Sequence, residues 1–349
     1  MRAATVAIRS VDLPASRMGG TAIYRVDAVP SLRWEERALY VPPPRSLFEG
    51  GWGLFAEDRQ AVPGSIVLRG PNGLRPFQQA DALEGEAPQA AVVGGTAYYI
   101  GPIMGQFGHF LVETMARLWA VPQLADGIDH FVYHGDLAPD ELVARHPYVA
   151  TILDALGLDR GQLVRPARPT RFERIVVPEA AFQSRSHVMP QLSDVSRTVA
   201  ERLLVGAPRA TTAQPAYLSK SRLGSAFTRI MNEAAVEAVL RERGVAIIHP
   251  ETRGFAEQVA VVNRHETLIG AVGSAFHTVL YSLQRRNLHY IAPNERINGN
   301  YVLIDRATGH EATYYFAAAE ATAVEGVEQA TVLEDPAGVA ETICRAIGI

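Results

Sequence analysis

Residues 245–290 read VAIIHPETRGFAEQVAVVNRHETLIGAVGSAFHTVLYSLQRRNLHY, and they follow a basic stretch at 217–233, YLSKSRLGSAFTRIMNE. The longer stretch alternates short β-branched runs with amphipathic helical patterns. VAIIH, TLIGA and LHYIA read as strands. FAEQVAVVNRHE reads as a helix that buries Phe255, Val259 and Val262, and SAFHTVLYSL as a second helix. Between TLIGA and SAFHTVLYSL lies GAVGS, a glycine turn where a strand hands over to a helix. Strands alternating with helices imply a parallel sheet with both faces covered.

The alternation extends in both directions. AYLS, at 216–219, reads as a strand. Asn232 stands at the N-cap position of EAAVEAVLRERG, whose Val236, Val239 and Leu240 share a face and whose Gly244 stops it. Upstream, AYYIGPI, HFVYHGD and RIVVP read as strands. GHFLVETMARLWAV, ELVARHPYVATILDALGL and SDVSRTVAERLLVG read as helices. Residues 207–215, APRATTAQP, form the best linker. Residues 1–95 are rich in Pro and Gly, with short strand-like runs at Ala38–Val41 and Ser65–Leu68. The expected organisation is a β-rich section over 1–95, an α/β unit over 96–206, a second over 216–335 and a terminal helix over 336–349, with a cleft between the two α/β units.

Composition narrows the function. The chain has 349 residues, enough for two domains of about 150, and 48% apolar with 20% charged residues is the balance of an ordinary folded protein. A net charge of −4 and a pI near 6.2 argue against nucleic-acid binding, which needs a clustered basic surface. The lone cysteine, Cys344, rules out a disulfide framework within the chain and a Cys-based zinc site. The N-terminus lacks the apolar core of a signal peptide, and no run approaches 18 apolar residues. The expected location is the cytoplasm, with peripheral contact to the inner face of the membrane left open.

Three places can carry chemistry. At Gly270–Ser274 a strand ends in glycines, so backbone N–H groups at the start of the next helix can meet an anion, helped by the helix dipole. Gly273, Ser274 and Ala275 form this candidate phosphate cradle; the alternative is an ordinary strand-to-helix turn. Ser219, Lys220, Arg222 and Arg229 follow the first strand of the second unit, at the end of the sheet where ligands bind. A guanidinium pairs well with phosphate; the alternative is a solvated basic loop. His109, Glu113 and Arg117, spaced by four, line one helical face beyond the turn GPIMGQFG. Either His109 or Glu113 can act as a base toward a hydroxyl, and Glu113 is preferred. The alternative is a surface stripe with a Glu113–Arg117 pair. Asp-x-Asp, G-x-x-x-x-G-K-[ST], G-x-G-x-x-G and G-x-S-x-G are all absent. His130, His134 and His146 have no metal-ligand spacing.

The order of these segments resembles glycosyltransferase family 61, found in bacterial capsular polysaccharide loci and among plant and animal glycan-modifying enzymes. The resemblance covers roughly residues 97–316. It runs through GHFLVETMARLW with its Gly-His pair and acid four residues on, YLSKSR, RIMNE, PETRGFAEQV, the glycine loop and NGNY. One element departs: the usual histidine of the G-A-H-G loop is Val272, and a following Asn is replaced by Thr278, with His277 beside it.

The resemblance implies a GT-B fold of two Rossmann-like domains and an inverting, metal-independent glycosyltransferase without cofactor. The donor is a nucleotide diphosphate sugar and the acceptor a glycan or lipid-linked glycan, in surface polysaccharide synthesis. It adds Glu233 and Glu257 to the donor side, and Arg117, Asn300 and Tyr301 to the acceptor side. Two alternatives stay open: a GT-B-like epimerase or hydrolase acting on nucleotide sugars, and a non-catalytic glycan-binding homologue, which Val272 makes thinkable. Oligomeric state, sugar and linkage are not legible.

Overall fold

The computed structural model describes residues 5–349 apart from Gly20, Ala22, Pro208, Arg209 and Ser225, and apart from the side chains of Ala226 and Phe227. It is a mixed α/β protein of several sheets. The chain divides into two compact units, Ile23–Arg202 and Met1–Ala22 with Leu203–Ile349. The linker expected over 207–215 includes Pro208 and Arg209, which lie outside the described residues.

The unit formed by Leu203–Ile349 carries the decisive stretch. Its sheet runs Val6–Arg9, Glu311–Phe316, Asn287–Ala292, Thr267–Ala271, Ala216–Leu218, Ala246–Ile248, with all neighbours parallel except Val6–Arg9 against Glu311–Phe316. Counted from Ala246–Ile248, the five parallel strands come second, first, third, fourth, fifth in chain order. This is a doubly wound order whose direction reverses between Ala216–Leu218 and Thr267–Ala271. Strands covered on both faces read as continuous apolar runs, and Tyr217, Ile269, Ile291 and Tyr315 pack into one core with Val236, Leu240, Val339 and Ile343 of the flanking helices Glu233–Glu242 and Pro336–Ile347. A second, small sheet pairs Ala226–Ile230 with Val327–Leu333 and that strand with Ala319–Val324.

The Ile23–Arg202 unit is built on one mixed sheet. Thr170–Pro178, Ala91–Pro102, His130–His134 and Leu163–Val164 are parallel; Leu32–Glu36, Leu39–Val41 and Gly53–Phe55 join antiparallel. Strands from 1–95, set apart in the sequence, therefore hydrogen-bond into the sheet that the following segment builds.

Several local expectations differ from the structure. The helix expected over 141–158 is two, Pro139–Arg145 and Pro147–Leu156. Pro147 disfavours the helical region for the residue before it, and His146 sits at φ −130, ψ 72. Ser65–Leu68 is not a strand, because a side chain takes the place of a neighbouring one. Gln79 accepts from Val67 N at 2.9 Å and donates to Ser65 O at 3.1 Å. Asn232 stands before Glu233–Glu242 but does not cap it with its side chain. Its amide instead exchanges two hydrogen bonds with the backbone of Leu333, at 2.9 and 3.0 Å, tying the helix to the small sheet.

The parallel sheet of the Leu203–Ile349 unit packs a buried carboxylate against its strands. Asp305, on helix Asn300–Thr308, accepts hydrogen bonds from Ser10 at 2.8 Å, Tyr290 at 3.0 Å and Tyr314 at 2.6 Å. Burial pushes its pKa up to about 6, against the pull of those three hydroxyls and Arg306. A carboxyl with a raised folded pKa stabilises most when protonated, and that contribution is lost as pH rises through about 6. Asp305→Asn should therefore flatten the fall in melting temperature between about pH 4 and about pH 6; an unchanged slope in a calorimetric pH series would remove Asp305 as its source.

Candidate functional site

At the reversal point of the Leu203–Ile349 sheet, Ser219 and Lys220 leave the strand Ala216–Leu218, and Val272–Ser274 leave Thr267–Ala271. These are the carboxyl ends of adjacent strands, where open α/β sheets bind ligands. Lys220 spans them. Its ammonium donates to Val272 O at 3.1 Å, Thr228 O at 3.1 Å and Thr228 Oγ1 at 3.2 Å, which uses all three protons. Burial, opposed by the charge of Glu233, lowers its pKa to about 8. Gly273 is required by this geometry, since a Cβ there would lie 2.8 Å from Lys220 Nζ.

The helix after the turn, Ser274–Tyr281, is wound as a 3₁₀ helix rather than the expected α-helix. Thr278 Oγ1 donates to Ala275 O at 2.6 Å and closes its first turn. Ser274 is exposed and Ala275 half-buried. The first N–H groups of a helix have no partner within it, and this helix begins at Ser274, directly after the glycine that packs on Lys220. Val272 contributes a backbone acceptor to Lys220 and an N–H to Ile291 O at 3.0 Å.

The other residues singled out on this side divide into two groups. Arg222 is exposed and makes no hydrogen bond or ion pair among the described residues. Arg229 instead shapes the turn that carries Arg222, donating to Leu223 O at 2.9 Å and Ser221 O at 2.6 Å. Glu233 is buried and accepts from Tyr217 at 2.8 Å and from the Lys220 amide at 3.1 Å. Ser219 is buried and donates to Glu237 at 2.6 Å. Glu257 is exposed and accepts from Gly254 N at 2.8 Å, a helix cap. Asn300 and Tyr301, placed on the acceptor side by sequence, begin the helix Asn300–Thr308 of this same unit. The Tyr301 ring lies 5.6 Å from that of His277.

The Ile23–Arg202 unit holds the other candidate group. The helical segment 107–117 is irregular: Phe107–His109 is α, Phe110–Thr114 is a π turn and Met115–Arg117 is 3₁₀. Such π turns frequently mark functional positions. The irregular winding undoes the stripe expected from spacing by four. Arg117 points into the unit and is buried, donating to Pro178 O at 3.0 Å, Ile66 O at 3.3 Å and Gly64 O. It is not a surface partner of Glu113. Gly101, at φ +91, leaves room for it, because a Cβ there would lie 2.7 Å from Arg117 Cδ.

The cation that meets Glu113 is Arg69, which the sequence did not single out. Its Nε and Nη2 donate to the two carboxylate oxygens at 2.8 Å each, a paired geometry. His109 Nδ1 lies 3.1 Å from Glu113 Oε2 and 3.2 Å from Arg69 Nη2. Burial alone would raise the Glu113 pKa; the hydrogen bonds and charges of His109 and Arg69 outweigh it and hold the carboxylate below its ordinary value. Arg69 comes from a turn 44 residues upstream, so no helical spacing could have revealed it. Glu113 and Arg117 line a cavity of about 830 Å3 within this unit. Among the described residues, no three His, Cys, Asp or Glu side chains group as metal ligands.

A doubly wound sheet with a cationic glycine turn at its reversal point defines an α/β protein suited to phosphate-bearing ligands. The family model for Glycosyltransferase 61 matches residues 107–297, more than half of the chain, and the chain belongs to that family of glycosyltransferases. The matched stretch includes His109, Glu113, Lys220 and Gly273, while Arg69, Asn300 and Tyr301 fall outside it. No curated protein matches the chain.

Because the Glu113 pKa is depressed, its ion pair contributes stability above the ordinary carboxylate value of 4.5, and that stability is lost as pH falls below it. Glu113→Gln should cost about 1.5–3 kcal/mol at neutral pH, the scale of a hydrogen bond to a charged group. The gap to the parent should close in acid. A difference in unfolding free energy that persists in acid would show that the pair with Arg69 is not its origin.

Proposed function

We propose that this glycosyltransferase is an inverting, metal-independent enzyme of GT-B type. It moves a sugar from a nucleotide diphosphate donor to a glycan or lipid-linked glycan acceptor. Its setting is surface polysaccharide synthesis in the cytoplasm, at the inner face of the membrane. The observation that carries this reading is the Lys220–Gly273 arrangement at the reversal point of the sheet. The donor's diphosphate lies against the N–H groups of Gly273–Ala275, in the field of Lys220 and within reach of Arg222. Preorganised donors and cations of this kind stabilise charge on a departing diphosphate, the task a divalent ion performs elsewhere.

In the single displacement, an acceptor oxygen bonds to the anomeric carbon while the bond to the diphosphate oxygen breaks. The diphosphate leaves with the electron pair from the opposite face. The acceptor's proton goes to a base in the Ile23–Arg202 unit. The sequence ranks Glu113 first for that role, and Arg69 changes the order: a carboxylate with both oxygens paired and its pKa depressed is a weaker base. In the tautomer whose Nδ1–H is donated to Glu113, the Nε2 lone pair of His109 takes the proton and Glu113 holds the ring in place, while Arg69 Nη2 serves Glu113 alone.

Two outcomes follow, each read by nucleoside diphosphate release and calorimetry. Donor affinity should fall as pH rises through about 8, where Lys220 loses its charge, and Lys220→Met should abolish that dependence. A pH-independent parent removes Lys220 from donor binding. His109→Ala should depress turnover by about 10²–10⁴-fold, the scale of general-base catalysis, with donor binding intact and with the parent insensitive to chelator. Full activity in His109→Ala beside a dead Glu113→Gln would return the base to Glu113.

A further inference from the structure

The carboxyl end of the edge strand Ala246–Ile248 holds a pair of side chains that no step above uses. Leu218 pairs with Ile248 in the parallel register, and Ser219 N donates to Ile248 O at 2.8 Å. His249 therefore stands beside Ser219, and it stays extended, at φ −107 and ψ 95. Side chains alternate across a strand, so His249 and Ser219 share the face that Ile247 and Tyr217 turn toward the helix Glu233–Glu242. Glu237 of that helix is already partnered: it accepts from Ser219 at 2.6 Å and lies 3.4 Å from Arg241.

His249 and Glu251 are not partnered in this way. The turn Pro250–Thr252 brings Glu251 Oε1 to 3.9 Å from His249 Nδ1, too long for a hydrogen bond. Nδ1 is buried and has no hydrogen-bond partner among the described residues. The Glu251 side chain is only 17% exposed, yet among the described residues it makes no hydrogen bond and meets no lysine or arginine. Polar groups withdrawn from water without partners cost free energy, and a ligand that supplied the partners would recover it.

The two groups together select the chemistry of that ligand. An ionised carboxylate only accepts hydrogen bonds, so Glu251 repels an anion. In the tautomer with Nδ1–H the ring donates, so an ammonium would serve Glu251 and leave the ring unserved. A hydroxyl does both. One oxygen can reach two groups 3.9 Å apart, accepting from Nδ1–H and donating to the carboxylate.

Position selects which hydroxyl. Ala246–Ile248, Ala216–Leu218 and Thr267–Ala271 lie side by side in the sheet, with neighbouring strands about 4.8 Å apart. The glycine turn after Thr267–Ala271 is thus two strands, about 10 Å, from His249, and Lys220 leaves the strand between them. A ribosyl diphosphate covers that span. In dinucleotide-binding sheets an acid beyond the phosphate turn takes a ribose hydroxyl.

We propose that His249 and Glu251 bind the donor's ribose through its 2′-hydroxyl, so that the enzyme takes ribonucleoside rather than 2′-deoxyribonucleoside diphosphates. The Glu251 carboxylate, on its exposed turn, moves outward to admit the hydroxyl. The inference rests on the donor reading of the glycine turn.

The test is calorimetric titration of the full chain with uridine and guanosine diphosphates and with their 2′-deoxy forms. The ribose forms should bind at least about tenfold tighter, the scale of one hydrogen bond to a charged group. Glu251→Ala, a change on an exposed turn, should weaken the ribose forms and spare the deoxy forms, and His249→Leu should do the same. Lys220→Met should weaken both forms alike, because it acts on the diphosphate. Equal binding of ribose and deoxy forms by the parent overturns this inference alone, as does a ribose preference that Glu251→Ala leaves untouched. Binding of no nucleoside diphosphate removes the donor reading and this inference with it. A ribose preference with no nucleoside diphosphate released from any sugar donor sinks the transferase reading alone.

Discussion

The ammonium of Lys220 is the constraint on which the candidate donor site depends. It lies between two strands of a parallel sheet at the point where their order reverses, and it closes on three oxygens, two of Thr228 and one of Val272. That closure fixes the path of the turn after Thr267–Ala271 and joins it to the small sheet through Thr228. It also explains why glycine stands at 273, where any side chain would collide with the lysine. Glu233 supports the same point: Tyr217 and the Lys220 amide both donate to it, so one carboxylate ties the strand to the lysine backbone. A buried, fully hydrogen-bonded lysine with a depressed pKa is rigid and expensive to charge, and such a group is tolerated where its field is put to use.

The second candidate group follows a different logic. Around Glu113 a bidentate arginine and an imidazole meet one carboxylate, held on a helical segment whose π turn breaks the regular spacing. Here the protein lowers rather than raises the carboxylate's proton affinity. The carboxylate holds its charge between the two neighbours, one four residues before it on the same segment and one from a distant turn. Arg117, the third member of the sequence pattern, turns inward and ties the segments at 64–66 and 178 together.

The parallel sheet of the Leu203–Ile349 unit was legible because its strands are apolar throughout and its helices carry a periodic face. TLIGA, VAIIH and LHYIA needed no tertiary information to be placed as strands. The glycine turn and the basic stretch before it were legible for the same reason: strand ends in such a sheet have a defined address. What could not be read was local competition. Pro147 split a helix whose hydrophobic period ran straight through it. Gln79 satisfied the backbone of 65–67, which has the composition of a strand. The winding of Ser274–Tyr281 as a 3₁₀ helix leaves no mark in the pattern of apolar residues.

The sequence by itself determined the strand-and-helix alternation of the Leu203–Ile349 unit, the family and most of the residue types at the two candidate sites, because periodicity, turn chemistry and motif order are properties of neighbours along the chain. Tertiary structure alone decided which charges meet. Arg69 reaches Glu113 from a distant turn, Arg229 braces a loop, and Arg222 is left exposed. An ion pair is a matter of angstroms between side chains whose separation along the chain carries no signal, so its partners appear only once the backbone has been folded around them.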